Sequence, residues 1–388
     1  MHSTYINENR LTEEFVRLTA FDSPSYQEGE IAEYVKKELI SLGLQVSEDD
    51  AAGKLQKEDG TRVLAASNLY ARLEGTRTED TPVLFSAHLD TVNPGIGKKA
   101  VIHEDGTITS AKDTVLGADD AAGIAAILEA LKAIKENDLP HPPVEVLFTV
   151  AEEPFCEGSR FIEYDRLRAK EGYVLDLAGD PGLAANEAPS ILSMIIEITG
   201  KASHAGFAPE EGINALSIAA EALCGTQTGR TKEDLTVNFG TIHGGNGINI
   251  VPERVRIEGE IRGISHEQVL SAARQIRETF ERAAAKEGGR VSVQMIENIR
   301  GYSIPKNSRV VRRFTEAVKA VEGLPEPKLI TTFGGSDANR LNENGIETIV
   351  IANAMKNCHS TEEYITKEGL IKTAQLTLKL MTACFQGQ

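Results

Sequence analysis

Tryptophan is absent from the 388 residues, and cysteine occurs only four times. Cys156, Cys224, Cys358 and Cys384 show no paired spacing, which argues against a disulfide framework and fits a reducing, cytoplasmic setting. Positive charge is also scarce. Lys and Arg number 41 against 58 Asp and Glu, a net charge of −17. Nucleic acid demands a basic surface, so it is not an expected partner, and the same sign argues equally against an anionic membrane surface. No apolar run is long enough to span a bilayer. Met1 to Arg10 is polar and has no apolar stretch of the kind a secretory leader carries. The chain is longer than one hydrophobic core usually organises, so two domains are expected.

What the sequence does hold is a repeated design. Pro82-Val83-Leu84-Phe85 is a short apolar run that ends in Ser86-Ala87-His88-Leu89-Asp90. Residues two apart on an extended segment point the same way, so His88 and Asp90 can face one site. Taken alone, such a triplet reads as a solvent-facing strand end. Val144 to Val150 is a second β-branched run, and it ends in Glu152 and Glu153. Adjacent carboxylates at a buried strand's mouth repel unless a cation lies between them or one is protonated. Gly172 to Leu175 ends in Asp176, and Asp119-Asp120 opens an Ala-rich helical stretch. The last pair also reads as a helix cap that complements the dipole. A late run, Thr348 to Ile351, leads to Cys358-His359, which makes His359 the natural second imidazole. His2, His103, His141 and His266 read as solvent-facing. Thiolate ligation by Cys156 or Cys358 is the minor alternative, since buried free thiols are usually inert.

Strands separated by helical patterns predict a mostly parallel sheet, whose ligands gather beyond the carboxyl ends of its strands. Near the chain start, Thr12 is expected to cap a first helix and Ser25 to Glu28 to form a capping box for a second. The texture changes near residue 187. The following βαββαβ order is that of a ferredoxin-like α+β unit. The predicted architecture is therefore an α/β metal-binding catalytic domain of residues 1–187 and 303–388, with an inserted domain over 188–302.

His88-x-Asp90-Thr91, Gly117-Ala118-Asp119-Asp120, Glu152-Glu153, Asp176 and His359, interrupted by a small inserted domain, resemble the two-zinc exopeptidases. Peptidase T, aminoacylase and glutamate carboxypeptidase belong to that family, and the Gly-Ala-Asp-Asp run, Asp176 and His359 lie nearest its peptidase T-like members. Ala202 to Gly206 and Gly212 to Ala215 are similar to the family's lid segments. Ala121 departs from the pattern, since the family usually places Lys there.

The resemblance implies two divalent metal ions, zinc foremost, with cobalt or manganese fitting the same nitrogen and oxygen donors. Asp119 would bridge them, His88 and Asp176 would complete one site, and Glu153 and His359 the other. Asp90 would orient His88, Glu152 would be the general base, and Asp120 would matter much less than Asp119. In the inserted lid, His204 would stabilise the oxyanion, while Asn249 and Arg262 would hold a substrate carboxylate. Arg262 stands as a lone cation in an acidic strand. The expected activity is removal of the N-terminal residue of tripeptides, with a homodimer formed through the lid. A carboxypeptidase or N-acyl-amino-acid amidohydrolase would use the same site. A metal- or peptide-binding protein without turnover is the alternative of another class.

Overall fold

The computed structural model describes residues 5–56, 66–77, 79–111 and 113–383. His2 and Cys384 lie outside them. The chain forms two compact units. The first runs to Glu187 and resumes over Ile304–Thr331 and from Ser336, and the second comprises Ala188–Ser303 and Thr332–Gly335.

The first unit is a mixed α/β layer built on a sheet with a parallel centre. Val144–Thr149, Val83–His88, Glu171–Leu177 and Glu347–Ala352 are neighbours in that order, all parallel. Antiparallel strands extend it through Leu69–Leu73 and Gln45–Glu48 on one side and Leu183–Ala188 on the other. Val83, Leu84, Phe85, Val146, Leu147 and Phe148 are fully buried, as strands covered on both faces require. In this register His88 pairs with Thr149, and Val174 pairs with both Ser86 and Val350. The strands that lead to the predicted site residues therefore stop at one edge.

The helix Ala118–Glu136 is buried on almost every face, which its alanines permit because they lose no rotamer freedom and allow close approach. Its one buried acid along the body, Glu129, is held by the Arg10 guanidinium at 2.7 and 2.9 Å. Gly123 has to be glycine. A Cβ there would meet Asp120 Oδ1 at 2.5 Å and the Leu175 carbonyl at 2.9 Å.

The second unit is a five-stranded antiparallel sheet with two helices. Its strands lie in the order Gly229–Lys232, Leu235–Gly244, Arg254–Gly263, Ser190–Thr199, Arg290–Ile299. With the helices Ala215–Cys224 and His266–Glu287, this is the expected ferredoxin-like arrangement plus one short edge strand. Met194, Ile196, Ile257, Ile261, Ile218 and Phe280 fill its core.

Three local expectations fail, and in the second of them distant partners replace the local one. The first helix spans Glu8–Thr19 and is capped by Asn7, while Thr12 sits inside it and donates to the Glu8 carbonyl. Ser25 and Glu28 form no capping box. Ser25 Oγ donates to Asp90 at 2.7 Å, and the buried Glu28 accepts from the amides of Tyr26 and Ala151. His141 is buried, with Nδ1 2.7 Å from the Pro142 carbonyl, rather than solvent-facing. No helix among the described residues is long and apolar enough to cross a membrane.

Candidate metal centre

At the carboxyl ends of the parallel strands, two groups of donors share one carboxylate. His88, Asp119 and Asp176 form the first, and Asp119, Glu153 and His359 the second. His88 Nε2 lies 3.0 Å from Asp119 Oδ1 and 3.9 Å from Asp176 Oδ1. His359 Nε2 lies 3.3 Å from Asp119 Oδ2 and 3.2 Å from Glu153 Oε2. Each oxygen of Asp119 thus faces a different group.

These spacings test whether a metal fits. Two ligands bonded at about 2.0–2.1 Å in a tetrahedron stand about 3.3 Å apart. The four separations cluster around that distance. Glu153 Oε1 is buried and has no hydrogen-bond partner among the described residues, as a donor awaiting a cation would be. Nitrogen and oxygen donors of this mixture suit zinc, cobalt or manganese.

The elements around the donors explain why they converge. His88 Nδ1 lies 3.0 Å from the backbone carbonyl of Asp90, so that nitrogen donates to the carbonyl and Nε2 is the one turned to the donor group. The Asp90 carboxylate is 3.5 Å from the same nitrogen and has other work. It accepts from the amides of Glu152 and Glu153 at 2.9 and 3.1 Å. Asp90 therefore orients His88 through its carbonyl and holds the Glu152-Glu153 turn through its side chain.

Asp120, for which a minor role is expected, is buried. Its carboxylate accepts from the amides of Gly123 and His88 and from the side chain of Asn353. It ties the end of one strand and the residue after another to the helix start.

Glu363 and Asn353 escaped the sequence reading. Glu363 accepts from the Gly117 and Asp119 amides at 2.7 and 2.9 Å, which fixes the backbone from which Asp119 projects. Its only sequence signal is an acid four residues after His359. Asn353 also donates to the Leu175 carbonyl. Cys358 is half-buried and belongs to neither donor group.

Electrostatically the site is under strain without a cation. Burial pushes the Asp176, Glu152 and Glu153 carboxyls up. Against the same desolvation, hydrogen bonds from His359 and His88 hold Asp119 low. Hydrogen bonds to Asp119 and then Glu153 raise His359 to about 10. Behind the donors, burial and then Asp90 lift Glu28 to about 8, and burial lifts Glu363 to about 7.

A group whose folded pKa is raised gives stability that is complete below its unfolded value and lost as pH rises through its folded value. Glu28 and Glu363 lose theirs from about 4.5 to 7–8, and His359 from about 6.5 to 10. All three slope the same way. The chelator-treated protein should therefore melt at a lower temperature at about pH 8.5 than at about pH 5.5. Differential scanning calorimetry checks this, and an equal or higher melting temperature at the higher pH contradicts the assignment.

The remaining predicted residues lie in the second unit. His204 is exposed and stacks on Phe207 with ring centroids 4.3 Å apart. Its Nδ1 accepts from the amides of Gly206 and Phe207, which leaves the proton on Nε2 as an available donor. Asn249 is exposed on a neighbouring turn, with its carbonyl accepting from the Ala205 amide. Arg262 is not a lone cation. Residues two apart share a strand face, and its Nε and Nη2 fork onto Glu260 at 2.8 and 3.0 Å while Nη1 donates to the Phe333 carbonyl.

A parallel-centred α/β sheet whose strand ends carry two donor groups around a shared carboxylate defines a two-metal hydrolase. Residues 84–383 match peptidase family M20/M25/M40, and the chain belongs to that family. It is 36% identical over 376 residues to the uncharacterized protein YqjE of Bacillus subtilis, covering 97% of this chain and 98% of the relative. Among solved structures it is similar to aminopeptidase PepT from Bacillus cereus, with 35% identity, a TM-score of 0.89 and coverage of 97% and 99%. A tripeptidase from Staphylococcus aureus gives 34% identity, a TM-score of 0.91 and coverage of 97% and 98%. The chain is a peptidase T-like metallopeptidase.

Proposed function

We propose that the protein is a two-zinc exopeptidase that removes the N-terminal residue of short peptides, tripeptides foremost. The observation that carries the two-metal reading is Asp119, whose two oxygens face different imidazoles at 3.0 and 3.3 Å. His88, Asp119 and Asp176 would hold one ion, and Asp119, Glu153 and His359 the other. Such ions, when bound, polarise the scissile carbonyl and make water nucleophilic at neutral pH.

The chain's own residues do the rest. Glu152, buried beside Glu153 and outside both donor groups, takes the proton of the attacking water and returns it to the leaving amine. Asp90 keeps it in place through the backbone amide. His204 offers an Nε2 proton suited to an oxyanion. Asn249 offers a neutral amide to a substrate carboxylate. Arg262 serves that role only by exchanging Glu260 for the substrate, which links its use to the arrival of a competing carboxylate.

The direction of cleavage comes from the names of the two solved relatives, an aminopeptidase and a tripeptidase. Mass spectrometry of a tripeptide with three different residues tests it. The expected products are the free N-terminal residue and the remaining dipeptide. Release of the C-terminal residue instead would make the chain a carboxypeptidase, and cleavage confined to N-acyl amino acids an amidohydrolase. Either result overturns the aminopeptidase reading.

A further inference from the structure

Beneath Glu152 lies a second buried cluster that the metal centre does not use. Donor atoms of Glu152, Cys156 and Asp337 all lie within 4.8 Å of one another. Cys156 and Asp337 are each 1% exposed and Glu152 is 7% exposed. The Cys156 thiol donates to Glu152 Oε1 at 3.3 Å. Asp337 accepts from the Thr149 hydroxyl through Oδ2, while its Oδ1 has no hydrogen-bond partner among the described residues.

The backbone is bent to make this contact. Ala151, Phe155 and Cys156 have φ of +47°, +63° and +55°, in the left-handed region that side chains resist. The Cys156 amide donates back to the Glu152 carbonyl, and the amides of Glu157 and Gly158 to that of Ala151. Gly158 is required here, because a Cβ would fall 1.8 Å from the Val150 carbonyl oxygen. Strain of this kind persists where the surroundings over-determine it. Its effect is to fold the chain back so that residue 156 sits under residue 152.

We propose that Cys156 is a positioning residue for the general base: its thiol proton, donated to Glu152 Oε1, fixes the carboxylate so that Oε2 is presented to the attacking water. This rests on the reading of Glu152 as the base. Asp337 packs beside Glu152 and Cys156 and is itself held by the Thr149 hydroxyl. Burial, with Glu152 and Asp337 adding to it, pushes the Cys156 thiol well up, so it keeps its proton and can only donate. Cys156 belongs to neither of the donor groups around Asp119. A base works only when the accepting oxygen is within hydrogen-bond reach of the proton it removes, so a carboxylate free to rotate loses turnover rather than substrate affinity.

The test is steady-state kinetics on a tripeptide with the metal-loaded native enzyme, Cys156→Ala, Cys156→Ser and Glu152→Gln, with metal content measured for each. A thiol is a weak donor, so its bond to a charged acceptor sits at the low end for such bonds and Cys156→Ala should lower kcat about ten-fold. KM and the two bound metals should not change. Cys156→Ser, which restores a donor, should return to within about three-fold of native. Should the alanine cavity unfold the protein, Cys156→Val fills the space without a donor and should show the same loss. Native kcat in the donor-less variant, with Glu152→Gln inactive, overturns the positioning role and leaves the base standing. Equal losses in the serine and donor-less variants overturn it too, since volume alone then explains the effect. Native turnover in Glu152→Gln removes the base itself, and the positioning role with it.

Discussion

Replacing Glu152 by glutamine should lower kcat by roughly 10²–10⁴-fold, the worth of a positioned general base, while both metals stay bound. Glutamine keeps the shape of the side chain but cannot take a proton from water. Metal retention follows because Glu152 belongs to neither donor group around Asp119. The contact with Cys156 survives the change, since the amide oxygen still accepts. Burial, then Asp337 and Glu153, raises the proton affinity of Glu152 well above that of an ordinary carboxylate. A base with that bias accepts a proton readily, and bound cations nearby pull the value back down. Steady-state kinetics with elemental analysis decide the matter. Near-native turnover in a fully metal-loaded Glu152→Gln would sink the assignment.

Asp119→Ala should empty both metal sites and abolish turnover. Two unit charges 4 Å apart cost about 4 kcal/mol at an effective dielectric of 20, and two divalent ions about four times that. A carboxylate with one oxygen on each ion offsets much of this repulsion, and nothing else in either donor group is shared. Losing it also removes the acceptor that faces both imidazoles. Asp120→Ala offers the sharper comparison. That side chain holds the His88 amide, Gly123 and Asn353, so its loss should destabilise the protein and weaken the His88 group first. Inductively coupled plasma analysis of both variants tests the pair. Two metals retained in Asp119→Ala would refute the bridge.

Much of this candidate site was legible in the sequence because His88, Glu153 and Asp176 sit at or just past the ends of strands, while Asp119 opens a helix and His359 lies in a loop after a strand. Apolar runs that stop at His88, Glu152 and Asp176 announce a sheet, and a parallel sheet sends its strand ends to one edge. The five residues that form the two donor groups follow from that rule together with the family resemblance. The βαββαβ order of the second unit was equally legible, because alternation and helical spacing are local properties of the chain.

Residues whose partners lie far away in sequence had a different fate. Ser25 and Glu28 have the spacing of a helix cap, yet they contact Asp90 and the Ala151 amide, 65 and 123 residues away. Glu363 supports Asp119 across 244 residues. Arg262 looked unpaired although Glu260, two residues back, shares its strand face, and its other contact, the Phe333 carbonyl, lies 71 residues away. By itself the sequence determined which residue types end each strand, and hence the chemistry of the donors. Only the tertiary structure decided which buried acids hold backbone amides, which face one another and which oxygen of each is free. Those choices depend on distances across the fold, and no local pattern encodes them.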